Sequence, residues 1–429
     1  MKVRLYMIFL TLCCIRTYDT VAQTNLPDFL NLSYTNSPLI NNNKNQVVIN
    51  QAEAERIRAV ATKFLLSLSA NYLFAPVYVT DAGHKGFDFN STSAAHYYGF
   101  DLGNTNGGSM QGLVTIYQPL FAGKRADILG EQSRINARIN TNTINLTRHD
   151  LEKTITDQYI LCILDKKQIR NSSENMKLID QQRMIVKKLV NASLLKSSDL
   201  ILLNIEYENN ENVLLTYQAA YHRDLQELRI ATGSRDTAAI ELDSLQLTLT
   251  KTPQQSAYLE SFKLDSLNLI ATQKAFETRY RPQLSLFGNG GLNGTHYHTL
   301  PHRFGTSGGI NFTWNILDGN QKAITRRKTR IQLQTVEFSK KNAEFQYNLH
   351  RTEALDELKS YDERLKNQQN QLKEYESLLH SYRTQVIQAQ LSVIDFINVL
   401  KNRTTAQRDL LQLETNRNLL INAYNYWNW

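Results

Sequence analysis

The last third of the chain carries a long heptad pattern of apolar residues. The pattern alternates steps of three and four residues, and only Gln368 is strongly polar among Leu358, Tyr361, Leu365, Gln368, Leu372, Tyr375, Leu379, Tyr382, Val386 and Ala389. Sustained spacing of this kind predicts helices that wind around one another as a coiled coil. A helix from Asp318 to about Val386 would be about 100 Å long, which suits a stalk or tube better than a compact domain.

A second pattern, of period two, precedes that helix. Apolar residues alternate with polar ones over Ile310, Asn311, Phe312, Thr313, Trp314, Asn315 and Ile316. The alternation predicts an amphipathic strand, and a run of about ten such residues crosses an outer membrane as a tilted barrel strand. A half-buried sheet in a soluble domain would show the same period. Because the rest of the chain offers no globular core for a sheet to cover, we favour the membrane strand, with the lipid-facing candidates Ile310, Phe312, Trp314 and Ile316.

The sequence is duplicated with an offset of 196 residues from Gly123 and Gly319 to the end, as in the match of Leu214 with Leu410. Each unit reads helix, strand, strand, long helix and returning helix, which marks a building block that needs neighbours. The first half is less regular. Its strands alternate less cleanly, and its heptad is apolar at Cys162, Ile169, Met176, Ile179, Val186 and Val190.

The duplication sets the expected organisation of the chain. We expect a signal peptide at 1–22, an N-terminal extension at 23–50, a first repeat at 51–235, a linker at 236–255 and a second repeat at 256–429. The strands are expected at about 75–83 and 110–119 in the first repeat, and at about 282–290 and 306–317 in the second. The helical hairpins are expected to turn near 191–203 and 388–399.

The N-terminus has the features of a secretory signal peptide. Lys2 and Arg4 precede a short apolar run, and Thr20-Val21-Ala22 resembles a small-x-small cleavage site. The mature chain would begin near Gln23 and keep one cysteine, Cys162, which we interpret as a small buried hydrophobe. No other apolar stretch is long enough to predict a membrane-spanning helix.

Charge and motifs exclude several classes of function. The 48 Lys and Arg against 40 Asp and Glu give a net charge of +8. That charge is dispersed and contains no long basic block, so no nucleic-acid partner is expected. No nucleotide-binding loop, nucleophile elbow, dinucleotide fingerprint or helical metal-ligand pair occurs, so we expect neither an enzyme nor a cofactor. His296, His298 and His302 read as a loop rather than a metal site, because no acidic residue or cysteine lies near them.

Strand counting predicts an oligomer. One chain supplies four strands, whereas closed membrane barrels need about eight or more because an open edge in lipid is too costly. Two chains would suffice and three would give twelve strands. Strand counting alone does not choose between a dimer and a trimer.

At this point the chain resembles the TolC-type outer-membrane efflux protein family over essentially everything from about Gln51. The resemblance rests on the duplicated plan and on local signatures in a fixed order. Pro76 and Pro282 open the first strand of each pair. The remaining signatures are two strand-to-helix corners, 117–123 and 314–319, and two turns at the hairpin tips, Ser198-Asp199-Leu200 and Ile394-Asp395-Phe396.

The resemblance implies a mainly α protein with membrane β structure, in which three chains form one pore. A twelve-stranded β-barrel in the outer membrane would continue into a long α-helical barrel in the periplasm. The protein would be the passive exit duct of a tripartite efflux pump or a type I secretion system. It would work with a periplasmic adaptor and an inner-membrane transporter. The alternative is a periplasmic adaptor itself, which would have one coiled-coil hairpin flanked by Gly-rich β domains.

The hairpin tips carry the candidate functional residues. Asp395, Asn398 and Asp199 are candidates for a pore gate, since a ring of carboxylates repeated by symmetry selects cations. In TolC the second tip has two acidic residues, and Asn398 stands in place of one of them. The alternative is that each Asp has only a local structural role, in which its side chain caps a helix junction. Residues at the turns are candidates for adaptor contact: Ser197, Ser198, Ser392 and Ile394.

Overall fold

The computed structural model describes most of the chain after the predicted signal peptide, and its element bounds follow. The described residues are 23–73, 77–79, 86–88, 109–235, 241–253, 256–294, 298, 300–388 and 390–429. The expected signal peptide at 1–22 and His296 therefore lie outside the described residues. Within the described residues, no helix is both long enough and apolar enough to cross a membrane.

The chain forms two compact units, each with its own contacts. The sheet unit comprises Asn45–Thr141 and Ser261–Ser339, and the hairpin unit comprises Met1–Lys44, Asn142–Glu260 and Lys340–Trp429. The helices are α1 (Leu26–Asn36), α2 (Pro38–Thr62), α3 (Gly123–Asn191), α4 (Ser197–Thr232), α5 (Glu260–Glu277), α6 (Gln321–Ile387) and α7 (Val393–Trp427). The strands are β1 (Gln23–Thr24), β2 (Leu65–Leu73), β3 (Val77–Val79), β4 (Gly86–Asp88), β5 (Ser109–Leu120), β6 (Glu241–Leu242), β7 (Gln283–Gly294) and β8 (Phe304–Thr313).

An antiparallel four-stranded sheet forms the β part of the sheet unit, in the order β2-β5-β7-β8. Because side chains alternate between the faces of a strand, the observed register sorts the residues of all four strands into two sets. One face is apolar and carries Leu66, Leu68, Tyr72, Val114, Ile116, Leu284, Leu286, Ile310 and Phe312. Much of this face is exposed within the single chain, including both edge strands.

The opposite face of the sheet is mainly polar. Ser67, Thr115, Asn289 and Ser307 form one row across all four strands. The Nδ2 atom of Asn289 donates to Ser307 Oγ at 3.4 Å. Five large apolar or aromatic residues interrupt the face, so it is less uniform than the apolar one: Leu65, Leu73, Leu113, Tyr117 and Phe287. The first-half strands thus alternate as the second-half strands do, because Thr115 shares the face of Asn311, not that of Phe312.

The first strand of the sheet lies upstream of the expected position. We placed it at about 75–83, but β2 spans Leu65–Leu73 and follows closely on α2, which ends at Thr62. Pairing with β5 decides this, since all nine residues of β2 have partners between Tyr117 and Ser109. Within the expected stretch, β3 pairs with β4 in a separate two-stranded ribbon, and 75–76 and 80–83 lie outside the described residues.

The fourth strand is shorter than expected. We placed it at 306–317, but β8 ends at Thr313, so Trp314 and Ile316 lie beyond the sheet. The reason is the start of its partner: Thr313 pairs with Gln283, and the preceding Pro282 has no N–H to continue the ladder. Trp314 instead donates its Nε1 hydrogen to the carbonyl oxygen of Tyr280 at 3.2 Å.

Two helical hairpins, α3–α4 and α6–α7, make up most of the hairpin unit. The heptad residues predicted on α6 from Leu358 to Val386 are buried or half-buried, while their neighbours point to solvent. The polar exception, Gln368, donates its side-chain amide to the carbonyl oxygen of Ala406 on α7 at 3.0 Å. A polar residue in the seam is therefore accommodated because its donor is used.

The helix ends reproduce the sequence offset. α3 ends at Asn191 and α6 at Ile387, and α4 begins at Ser197 and α7 at Val393, so both pairs stand 196 residues apart. The predicted fold class, a duplicated unit of strands and long helical hairpins, is confirmed.

The C-terminus of α7 is held by aromatic stacking. His149 stacks on Tyr426 and on Trp429, with ring centroids 4.9 and 4.2 Å apart. Trp427 stacks on His350 at 4.5 Å.

Candidate functional site

The first hairpin tip is a tight turn closed by a capped helix. Ser193 takes a left-handed conformation with φ of 56°, and the following N–H of Leu194 donates back to the carbonyl oxygen of Leu189. Asp199, in the first turn of α4, accepts a hydrogen bond from the backbone N–H of Lys196 at 3.1 Å. The carboxylate of Asp199 therefore caps the helix, which is the alternative role considered for it.

The second tip places its polar residues on an exposed face of α7. Ser392 is the N-cap of this helix, and its Oγ accepts a hydrogen bond from the N–H of Ile394 at 3.2 Å. Asp395 and Asn398 are both exposed and lie one turn apart. In contrast to Asp199, Asp395 has no capping hydrogen bond among the described contacts. It lies in the first turn, where the helix dipole stabilises a negative charge.

A hydrophobic core next to the two hairpin tips holds them in place. Residues of all four helices of the two hairpins contribute to it: Ile179, Val186, Leu203, Leu379, Val386, Val393, Phe396, Ile397, Val399 and Leu400. Phe396 follows Asp395 directly and is fully buried. Since Phe396 and Ile397 anchor the first turn of α7, Asp395 and Asn398 are held on its outer side.

The remaining adaptor-contact candidates are also at the surface. Ser197 and Ser198 are exposed at the start of α4, and Ile394 is exposed at the second tip. All four candidates at the turns, including Ser392, are thus accessible in the single chain.

The cations nearest to the second tip in sequence have partners within the chain. Arg383 donates from Nη2 to Gln181 Oε1 at 3.2 Å. Lys401 forms an ion pair with Glu206, whose carboxylate is buried, at 2.9 Å between Nζ and Oε2. Lys401 is thus engaged by a carboxylate other than that of Asp395.

A pair of carboxylates between α3 and α4, the buried Asp165 and the partly buried Asp224, was not anticipated from the sequence. Burial, and then the nearby charge of Asp224 and a hydrogen bond with it, raise the pKa of Asp165 to about 7. Cys162 lies one turn away and is fully buried; burial first, then Asp224 and Asp165, raise the pKa of this thiol to about 12. The interpretation of Cys162 as a buried hydrophobe fits this environment.

The carboxylate pair leaves no pattern that a sequence search would find. Asp165 and Asp224 lie on different helices, and their approach depends on how α3 packs against α4. In the part of the chain that the structure describes, no cluster of His, Cys, Asp or Glu is arranged to hold a metal ion.

Comparison with known proteins finds likeness in structure and none in sequence. No protein-family profile matches the chain, and no curated protein sequence matches it. The structure resembles that of CusC, solved for its folding and transmembrane channel formation, with a TM-score of 0.72 and 11% identity over 95% of this chain and 92% of that one.

Two further structures resemble the chain to a similar degree. The CmeC outer membrane channel of Campylobacter jejuni has a TM-score of 0.71 and 12% identity, covering 94% of this chain and 85% of that one. The open state of the MtrE outer membrane channel of Neisseria gonorrhoeae has a TM-score of 0.69 and 10% identity, covering 94% and 88%. The chain therefore has the fold of the TolC-type outer-membrane efflux channels.

Proposed function

We propose that this protein is an outer-membrane channel that serves as the passive exit duct of an efflux or secretion system. The observation that carries the proposal is the four-stranded sheet with one apolar and one mainly polar face. Such a sheet suits lipid on one side and water on the other. Ile310 and Phe312 lie on the apolar face, and Trp314 and Ile316 continue it as exposed residues just beyond the strand.

The same sheet supports assembly as a homotrimer. Within the chain, β2 and β8 are the outer strands of the sheet, so each leaves one edge unpaired among the described residues. Unpaired backbone groups in lipid cost several kcal/mol each, so the edges would pair between chains. Three copies would close twelve strands, the arrangement that the family resemblance implies.

An exposed apolar stripe on α6 supports the same assembly. Its residues are spaced by seven, the spacing of a coiled-coil seam, and all are more than half exposed: Ile324, Ile331, Phe338 and Phe345. An exposed apolar stripe on a single chain marks a surface for protein contact, and here the contact would be with a helix of the next copy.

The tips would form the periplasmic mouth of the duct. Asp395 and Asn398 are exposed one turn apart, and threefold symmetry would repeat them around the axis. We propose Asp395 as the principal gate residue and Asn398 as a hydrogen-bonding neighbour. Asp199 is a weaker candidate because it already caps α4. The tips would also dock a periplasmic adaptor, through Ser197, Ser198, Ser392 and Ile394, and through that adaptor meet an inner-membrane transporter.

A periplasmic adaptor is the competing assignment. The fold disfavours it, since the chain has two long helical hairpins and its structural neighbours are channels. Membrane fractionation, followed by light scattering of the full chain in mild detergent, tests the proposal. We expect an outer-membrane protein that stays trimeric in detergent. A monodisperse monomer, or a soluble periplasmic protein, would overturn it.

A further inference from the structure

A cavity of about 490 Å³ lies at the first sheet-to-helix corner, where β5 passes into α3. All its lining residues belong to the sheet unit. Its apolar lining comes from three separate parts of the chain: Ile57, Val60, Leu65, Leu120, Leu129 and Leu284. Leu65 and Val60 remain substantially exposed there, although ordinary packing would have covered them. An apolar ligand would find a surface that the chain itself leaves uncovered.

The cavity is also strongly cationic. Arg56, Lys124, Arg125 and Arg281 line it, and no Asp or Glu is among its described lining residues. Arg56 is neutralised by a two-pronged ion pair with Glu53. The other three have no ion-pair partner among the described contacts, and the Nε atom of Arg125 is buried without a hydrogen-bond partner.

Two of these cations lie where they destabilise the helix that carries them. Lys124 and Arg125 occupy the first turn of α3, which contains no acidic residue. The positive end of a helix dipole disfavours cations, so both side chains destabilise the first turn. An anion bound between the cations and the helix N-terminus would reverse that penalty. Neither the helix N-terminus nor the cations identify the ligand by themselves. The adjoining apolar cavity indicates that the bound anion also has an apolar part.

An aromatic side chain stands at the rim of the cavity. Phe121 precedes α3 and has a φ of 56°, a left-handed conformation that is costly for a bulky residue. Its ring is 92% exposed. A strained backbone that presents an aromatic ring to the surroundings suits an interfacial position, where aromatic residues lie at the level of lipid headgroups.

We propose that this cavity binds one anionic phospholipid per chain. An acyl chain would lie on the apolar lining, and the phosphate would accept hydrogen bonds from Lys124, Arg125 and Arg281. This inference rests on the proposed function, because it requires the corner to lie at a membrane surface. The second corner serves as a contrast. The cavity there is also basic, with Lys322, Arg326, Arg327 and Arg330, but its lining includes Asp318 and few apolar residues.

Lipid binding to the full chain, delipidated in dodecyl maltoside, tests the proposal. Native mass spectrometry and thermal unfolding would be measured with phosphatidylglycerol, with phosphatidylcholine and with inorganic phosphate. We expect phosphatidylglycerol to remain bound at one molecule per chain and to raise the melting temperature. Phosphatidylcholine should do neither, because its quaternary ammonium group cancels the phosphate charge and is repelled by the cations of the cavity. Inorganic phosphate should do neither, because it has no acyl chain to occupy the apolar lining.

Two variants separate the headgroup site from the acyl site. The double substitution Lys124→Gln/Arg125→Gln should weaken phosphatidylglycerol binding roughly tenfold or more, because charge-assisted hydrogen bonds are lost. The same change should raise the melting temperature of the lipid-free protein, because it removes cations from a helix N-terminus. Ala61→Phe should fill the cavity and block binding while it keeps every charge.

A matched control is Arg58→Gln/Lys328→Gln, which removes two exposed cations of the same unit that do not line the cavity. This control should bind phosphatidylglycerol as the unmodified chain does. Equal binding by all variants, equal binding of phosphatidylcholine, or stabilisation by phosphate alone would overturn the proposal. So would an assembled oligomer that retains no lipid, which would indicate that a second copy covers the cavity.

The two proposals fail in distinguishable ways. The lipid count is made per chain, so it gives an answer whether the protein is a monomer or a trimer. A trimeric outer-membrane protein without bound phosphatidylglycerol would refute the lipid site alone. A monomeric periplasmic protein would refute the proposed function.

Discussion

Glu277 at the end of α5 and Arg326 near the start of α6 form a two-pronged ion pair. The Nε–Oε1 and Nη2–Oε2 distances are 2.7 and 2.8 Å. In the first repeat, 196 positions before Arg326, stands Gly130, which is buried and lies against Ala54 of α2. The two repeats therefore join corresponding helices differently, one by charge and the other by close packing.

This ion pair gives the first prediction. The hydrogen bond from Arg326 is the largest influence that lowers the pKa of Glu277, to about 2 from the ordinary value of 4.5. Its stabilisation is present above about pH 4.5 and is lost as the pH falls toward 2, since the unfolded state then binds the extra proton. Glu277→Gln should lower the free energy of unfolding by roughly 1–2 kcal/mol at neutral pH, because the pair is partly exposed.

Thermal unfolding as a function of pH measures this effect. The difference between Glu277→Gln and the unmodified protein should shrink as the pH falls below about 4.5. Lys328→Gln is the control, since it removes an exposed cation near Arg326 on the same helix. A pH-independent difference, or an equal loss in the control, would contradict the assignment.

The buried carboxylate of Asp165 gives the second prediction. Its pKa is raised from 3.8 to about 7 by burial and by Asp224, so the folded state favours the protonated acid. The contribution of Asp165 to stability is therefore most favourable at low pH and falls as the pH rises from about 4 through 7. Asp165→Asn should raise the free energy of unfolding by about 2 kcal/mol near pH 8 and leave it little changed near pH 4.

Urea denaturation of the two proteins at both pH values checks the sign. Asp409→Asn is a control, because Asp409 is exposed at the surface of α7. A loss of stability in Asp165→Asn near pH 8 would show that the carboxylate is needed in its charged form.

The two faces of the sheet give the third prediction. Phe312→Arg places a charge on the apolar face of β8 and should cost about 1 kcal/mol, because Phe312 pairs with Leu284 near the expected membrane surface, where a charge costs less than at the midplane. Asn311→Arg, one residue earlier, places the same charge on the opposite face of the same strand. We expect the yield and heat resistance of the trimer to fall for Phe312→Arg and to change little for Asn311→Arg. Equal behaviour of the two variants would mean that the faces are misassigned.

The second hairpin tip gives the fourth prediction. Asp395→Ala should raise single-channel conductance in planar bilayers and lower cation preference, because a ring of carboxylates is removed. Asn398→Asp should increase cation preference and add sensitivity to block by divalent cations. Asp199→Asn tests the weaker candidate and should change conductance less than Asp395→Ala, because Asp199 already accepts a hydrogen bond from the N–H of Lys196. If neither Asp395→Ala nor Asn398→Asp alters conductance or ion preference, these side chains do not face the lumen.

Adaptor docking gives the fifth prediction. Ser198→Cys and Ile394→Cys introduce exposed thiols at the two tips and should cross-link to a periplasmic adaptor in cells. Ser197→Cys should behave alike, whereas Ser392→Cys would also remove the N-cap of α7 and cost about 1 kcal/mol.

The native thiol does not interfere with this experiment, because Cys162 is fully buried and burial raises its pKa to about 12. Ser360→Cys is a matched control, exposed on α6 but about 40 Å along the helix from the second tip. Cross-links from Ser360→Cys that equal those from the tips, or tip cross-links only to other outer-membrane proteins, would contradict the docking proposal.

The sequence by itself determined the elements whose signal is periodic along the chain. The heptad on α6 predicted which residues pack, even for Gln368, and the 196-residue offset matches the positions of both hairpin turns. The alternation around Phe312 predicted an amphipathic strand. The heptad and the alternation are visible in the sequence because each depends on residues a few positions apart, and the offset is visible because the same pattern of elements is repeated along the chain.

The tertiary structure alone decided whatever depends on partners distant in sequence. Pairing with β5 placed β2 at Leu65–Leu73, and Pro282 at the start of β7 ended β8 at Thr313. The approach of Asp165 to Asp224 depends on helix packing, and the corner cavity brings Lys124 and Arg281 to one surface from different repeats. No local pattern encodes these contacts, because their free energy arises only when separate elements meet.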